Sequence, residues 1–398
     1  MEQHARQERQ LPSSAHQIET DDRTALVCKP RTKGGNSDLP SAGFNVINSI
    51  IGSGIIGLPY SMKEAGFPLG VLLLVGVAYI TDYSIILLIK GGNLSGTNSY
   101  QELVNKSYGF IGYLILSILQ FLYPFIAMIS YNIITGDTLT KVFQTIPGVG
   151  PDNLLTYRQV IILCITIIFT LPMSLYRDIA KLAKVSFISL ILTTVILIIV
   201  MIRAATLSPL VPKTENAWIF AKSNAIQAIG VMSFGDIFEN YCRDDDLATF
   251  GRFCYGVTII LTFPIECFVT REVIANVFFS GTLTTILHVA VTVIVVAVAT
   301  SISLVYDCLG IVLELNGILS ATPLVFIIPT ACYLKLSEER WNHSDNLISG
   351  LILTIGVLLV TVGFVMTILH PQECSHGKEM VYCFPNNASV YNSTLPPF

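Results

Sequence analysis

From Asn45 to Pro59 the chain reads NVINSIIGSGIIGLP, with glycines at 52, 54 and 57 inside an otherwise apolar run. Glycine costs roughly 1 kcal/mol relative to alanine within a helix, so three in six positions invite the helix to open. One reading is packing: Ser53 and Gly57 are four apart and fit a small-xxx-small face. Gly52 and Gly54, however, are two residues apart, about 200° around a helix, so a single packing face does not hold both. The other reading is a helix interrupted at mid-membrane. Its second half then offers bare amides to an anion, and its first half offers bare carbonyls to a cation. The carboxylate of a zwitterionic amino acid and a Na⁺ ion are natural guests for such a break.

Other polar residues also lie within apolar runs. Glu314, in LELNG with Asn316 and Gly317, is either a hydrogen-bond partner for another helix or a proton-coupling or gating carboxylate. Glu266 and Asp82 are also inside such runs, while Lys90, Asp307 and His288 stand near run ends and read as interfacial. Lone hydroxyls such as Thr258 and Thr262 either bond the carbonyl one turn back or serve as oxygen ligands for a hard cation. No nucleophile set or metal-ligand cluster stands out. GGNLSG at 91–96 reads as a cytoplasmic turn and is followed by no GK[ST], so it is not a phosphate loop. An enzyme, an ATP-driven pump and a resident cofactor are therefore not expected. Na⁺ is the one metal anticipated, and it would be a coupling ion.

These residues sit in elements of recognisable length. The 398 residues are 52% hydrophobic and only 13% charged, with a mean hydropathy of +0.65. A soluble domain carries about 25% charge. The apolar residues come in blocks of about 20, enough for a helix to cross hydrocarbon. The fold class is thus an all-α polytopic membrane protein in contact with the lipid bilayer. Spans are expected at about 39–62, 66–89, 110–136, 156–176, 183–207, 249–270, 285–306, 308–334 and 347–370, making about nine crossings in a transmembrane domain of 39–370. Residues 1–38 are polar and mixed in charge, and read as a disordered cytoplasmic tail. With the N-terminus inside, fourteen of the 23 Lys and Arg residues fall on the cytoplasmic side. Residues 371–398 then form an extracellular or lumenal tail with glycan acceptor patterns at Asn387 and Asn392. In that tail Cys374 and Cys383 form either a disulfide or two free thiols. A net charge of −4 and the lack of any basic cluster give no sign of a nucleic-acid partner. Oligomeric state is not legible.

Three stretches carry a family resemblance: FNVINSIIGSGIIGLPYSMKEAGFPLG, GRFCYGVTIILTFPIECFVTREVI and CLGIVLELNGILSATPLVFIIP. They resemble the first, eighth and tenth helices of the amino acid/auxin permease group, within the amino acid–polyamine–organocation superfamily. More narrowly, they are similar to the sodium-coupled neutral amino acid transporters. The resemblance implies eleven helices in a five-plus-five inverted repeat, with the first and sixth broken. It implies that Asn48, the carbonyl of Ile51 and Thr262 hold Na⁺, with Thr258 one turn away as a weaker fourth. It also implies that the backbone amides of Ser53, Gly54 and Ile55 hold the substrate carboxylate. The function implied is secondary active transport of a neutral amino acid with Na⁺ or H⁺, in the plasma membrane or an endolysosomal membrane.

One departure from the pattern matters. NAIQAIGVMSF at 224–234, the opening of the family's sixth helix, runs directly into GDIFENYCRDDD. Eleven residues cannot span a bilayer as a helix. The second half of that helix and all of the seventh are missing, so the repeat is incomplete. The chain is expected to insert in the membrane and to transport poorly. The alternative is a non-transporting membrane protein, either an amino acid sensor or a shortened variant that modulates a full-length partner.

Overall fold

The computed structural model describes residues 39–51, 65–148, 153–177, 179–207, 244–279, 281–340 and 343–369, together with Met62, Pro209, Tyr241, Cys242 and Cys383. Nearly everything described is helical. In chain order the helices are α1 (Leu39–Ile51), α2 (Phe67–Ser95), α3 (Tyr100–Gln144), α4 (Arg158–Ser174), α5 (Ile179–Leu207), α6 (Asp246–Phe278), α7 (Thr285–Val305), α8 (Leu309–Leu336) and α9 (Ser344–Leu369). Seven of these are long and apolar enough to cross a membrane, and they coincide with seven of the anticipated spans. The other two anticipated spans correspond to α4, a shorter apolar helix, and to α1, described over 13 residues.

The boundaries follow local chemistry. α2 begins beside Gly66 (φ 92°), with a proline in its first turn, and closes at left-handed Gly96, whose N–H bonds the carbonyls of Asn93 and Gly92. Residues 91–95 therefore belong to the last turns of α2, and the turn anticipated there starts only at Gly96. α3 opens with a reciprocal cap: the Glu102 N–H donates to Ser99 Oγ (3.2 Å), and the Asn98 N–H donates to Glu102 Oε2 (3.3 Å). At 45 residues α3 would be roughly 68 Å long if straight, about twice a bilayer core. Gly109 (φ 68°, ψ −163°) breaks it into 100–108 and 110–144, and the second piece holds the span.

The bundle turns apolar residues outward, as lipid solvation demands, and buries polar residues together with apolar ones inside. Val71, Leu72, Val75, Ile167, Ile168, Ile294 and Leu358 are exposed, whereas Asn48, Ser186, Thr262, Glu314 and Asn316 are buried. α6 is the central helix, touching α1, α3, α5 and α7. Its Ile259 and Phe263 join Met128 and Ile133 of α3, Ile196 and Ile199 of α5, Val295 and Val296 of α7 and Val312 of α8 in one core.

Polar clamps fix the helix ends. Buried Arg271 donates to the carbonyls of Ser174 (2.9 Å) and Tyr176 (3.1 Å) and to Thr292 Oγ1 (3.2 Å), while His288 Nε2 lies 3.0 Å from Leu175 O. These groups cap the C-terminal carbonyls of α4 from α6 and α7. A cavity of about 90 Å³ lined by Arg177, Arg271, Glu272 and His288 lies there. His288, near the start of α7, is thus a buried cap. Lys90 of α2 bonds Asp345 of α9 at 2.6 Å, and Tyr83 donates to the same carboxylate at 3.2 Å. Arg158 and Asp137 tie α4 to α3 at 2.5 Å.

Covalent closure differs from the anticipated pairing. Cys383 is bonded to Cys242, 141 residues earlier, with Cα atoms 5.4 Å apart, and so does not pair with Cys374. Cys242 lies just before α6, and the fold brings Cys383 to it although the two are 141 residues apart in sequence. Cys308, immediately before α8, is also disulfide-bonded. All three cysteines lie in segments that the Lys and Arg distribution assigns to the outside.

Candidate functional site

α1 inverts the usual amphipathic arrangement. Asn45 and Asn48, three apart and on one face, are buried at 6% and 1% exposure, while Val46, Ile47 and Ile50 on the other face are exposed. The buried face packs on α5 and α6. Ser186 Oγ of α5 donates to Asn45 Oδ1 at 2.6 Å, and Phe44 meets Phe187 with ring centroids 5.0 Å apart. One turn further along each helix the pairing stops. Asn48 Nδ2 and Ser189 Oγ are both enclosed, and neither finds a hydrogen-bond partner among the described residues. Enclosed polar atoms are normally satisfied, so two on one interface stand out.

α6 supplies the two threonines. Thr258 and Thr262 are buried; Thr258 Oγ1 donates to Cys254 O and Thr262 Oγ1 to Thr258 O, each at 2.9 Å. Each hydroxyl proton is thus spent on the carbonyl one turn back, as the bland reading anticipates. The lone pairs of each hydroxyl oxygen are still free to accept, and a hard cation such as Na⁺ takes oxygen ligands of this kind.

Glu314 lies elsewhere in the bundle. It is fully buried where the first turns of α8 pack on α3 and α9, 2.8 Å from the Thr367 hydroxyl through Oε1. α8 contains two π turns just beyond it, Gly317–Ala321 and Pro323–Ile327. Glu266 is also buried, on α6. The fold therefore brings Asn48 into the helix trio that carries Thr258 and Thr262, and it does not bring Glu314 there.

Several anticipated positions lie outside the described residues: Gly52, Ser53, Gly54, Ile55, the 224–234 fragment, Cys374, Asn387 and Asn392. Ile51 is the last described residue of α1. Sequence reasoning passed over Ser186 and Ser189 of α5. Their signal was present as two serines three apart in KVSFISLI, on one helical face inside an apolar run.

With this geometry in hand, comparison with known proteins is informative. Residues 35–235 and 235–369 match the family described as transmembrane amino acid transporter protein. The chain belongs to that family. It is an integral, multi-pass membrane protein. A Bos taurus relative named "Putative sodium-coupled neutral amino acid transporter 11" is 58% identical over 442 residues, covering 98% of this chain and 95% of the relative. The Homo sapiens protein of the same name is 58% identical over 387 residues, covering 84% and 95%. More distantly, vacuolar amino acid transporter 2 of Saccharomyces cerevisiae is 26% identical over 414 residues, covering 86% and 85%. An alignment of 442 positions against a chain of 398 residues leaves at least 44 positions where this chain has none. The family match is itself divided at residue 235, where Phe234 runs into Gly235.

Proposed function

We propose that this chain has the architecture of a secondary carrier that moves neutral amino acids together with Na⁺, the two being transported species. The observation that carries the reading is that the fold encloses Asn48 of α1 against α5 and against α6, the helix that also buries Thr258 and Thr262. In this reading Asn48, Thr262 and the carbonyl of Ile51 supply oxygens to Na⁺, with Thr258 beside them. The amides of Ser53, Gly54 and Ile55 receive the substrate carboxylate. The names borne by the relatives support the same substrate class.

The division at residue 235 sets a limit on flux. A half-lined cavity leaves polar backbone facing lipid, at several kcal/mol for each unsatisfied group. The chain as it stands therefore transports weakly. The second reading, a shortened variant that modulates a full-length partner, rests on that same missing segment. Uptake of labelled neutral amino acids, with and without Na⁺, separates the two. We compare cells expressing this chain alone with cells expressing it with the relatives' segment restored at 235. Saturable Na⁺-dependent uptake that rises on restoration supports the carrier. Absence of uptake in both, at equal surface delivery, rejects it.

A further inference from the structure

The Thr367 hydroxyl poses a problem of proton counting. Its oxygen is 2.8 Å from Glu314 Oε1 and 2.9 Å from Gly363 O, both hydrogen-bond distances to acceptor oxygens. A threonine hydroxyl has one proton to give. Both contacts become full hydrogen bonds when Thr367 donates to Gly363 O and a carboxylic acid O–H of Glu314 donates to Thr367 Oγ1. The other carboxyl oxygen, Oε2, is enclosed without a partner among the described residues, which a neutral acid tolerates far better than a carboxylate does.

The surroundings bring no compensating cation among the described residues. The Leu309–Asn316 segment packs on α3 and α9. Of the charged residues of α3, Glu102 caps its first turn, Lys106 donates to Ser95 O, Asp137 holds Arg158, and Lys141 is in the last turn. Tyr100 and Tyr108 donate to the carbonyls of Leu324 and Ala331, and Tyr113, Tyr123 and Tyr131 are neutral phenols. Asp345, the only charged residue of α9, holds Lys90. On α8 itself, Lys335 is in the last turn, and Asp307 lies just outside the first. Five residues into α8, Glu314 is about 8 Å from the end of the helix.

We propose that Glu314 is a proton-binding site: a buried carboxylic acid held by Thr367 between α8 and α9, exchanging its proton at the Leu309 end of α8. The two π turns that follow it are the kind of irregularity that recurs where helices rearrange, so release of the proton acts on the most adaptable part of α8. The inference rests on burial and proton count, and stands whether or not the chain transports.

Infrared spectroscopy of the full chain in lipid nanodiscs tests it. A protonated-acid C=O band at neutral pH should disappear in Glu314→Gln, and in Thr367→Val it should shift to higher frequency as the hydrogen bond is lost. Raising the pH should abolish the band in the unsubstituted protein and lower its thermal stability, since a carboxyl kept neutral by folding costs stability as the pH climbs from its unfolded to its folded titration point. Glu314→Gln should lose that pH dependence. If Glu314→Gln does not fold, the Thr367→Val shift decides. A band unchanged by either substitution, or no protonated-acid band at neutral pH, overturns the proposal.

Discussion

Asn48 is enclosed to 1% exposure and its Nδ2 has no hydrogen-bond partner among the described residues, and that combination sets what its removal should do. Losing a side chain whose Nδ2 makes no hydrogen bond among the described residues should change stability by less than about 1 kcal/mol. Losing one oxygen ligand should raise the Na⁺ concentration for half-maximal uptake by about tenfold or more, worth ~1.4 kcal/mol. Asn48→Ala in the chain restored at 235 checks both, by thermal melting and by uptake against Na⁺; unchanged Na⁺ dependence removes Asn48 from the ion site. Thr262 separates the bland and functional readings by a different route. Its hydroxyl donates to the carbonyl of Thr258, so Thr262→Ser should keep Na⁺ dependence and Thr262→Val should weaken it, with near-equal melting temperatures. Asn48 was singled out in the sequence by the family resemblance, and its burial on one face with Asn45 is a finding of the fold. Ser189 became visible only once Asn45 was seen to bond Ser186.

Among the elements, α3 shows where periodicity stops informing. An apolar pattern marked its span at 110–136, but the helical piece at 100–108 is set apart by one backbone position. Gly109 sits at φ 68° and ψ −163°, a conformation nearly closed to residues with a Cβ. Gly109→Ala should cost about 1–3 kcal/mol, seen as a lower melting temperature, and a neutral result would mean that the break is absent. The central contact between α3 and α6 has its own test. A Cβ on Gly256 would come within 2.8 Å of Leu139 Cδ2, so Gly256→Val should displace the Leu139 side chain and cost about 1–3 kcal/mol by overpacking. The first effect depends on the backbone conformation of Gly109 and the second on how closely α3 approaches α6, and propensity reports neither.

For the whole molecule, the Cys242–Cys383 bond ties the tail after α9 to the segment before α6. Non-reducing peptide mapping should recover these two cysteines in one linked fragment; recovery of Cys374 joined to Cys383 would contradict the fold. Cys383→Ser should lower stability by about 2–4 kcal/mol in the loop-entropy account, a loss absent under reducing conditions. The pairing escaped sequence reading because Cys242 and Cys383 are 141 residues apart and meet only in the fold. The segment at 235 shows the opposite case: length alone says that an eleven-residue apolar fragment is too short to cross a membrane, and the family resemblance adds that a piece is lacking there.

The sequence by itself determined that this is a helical membrane protein, where most of its spans lie, which family its motifs resemble and where a piece is lacking. Each of these follows from local quantities: the length of apolar runs, their period and the order of motifs. Only the tertiary structure decided which buried polar atoms go unpartnered, which cysteines meet, and that Thr367 stands between Glu314 and Gly363 with a single proton for two acceptors. Those are properties of pairs distant in the chain. Hydrogen bonds and covalent closure act over a few ångströms, and only the folded bundle sets such separations.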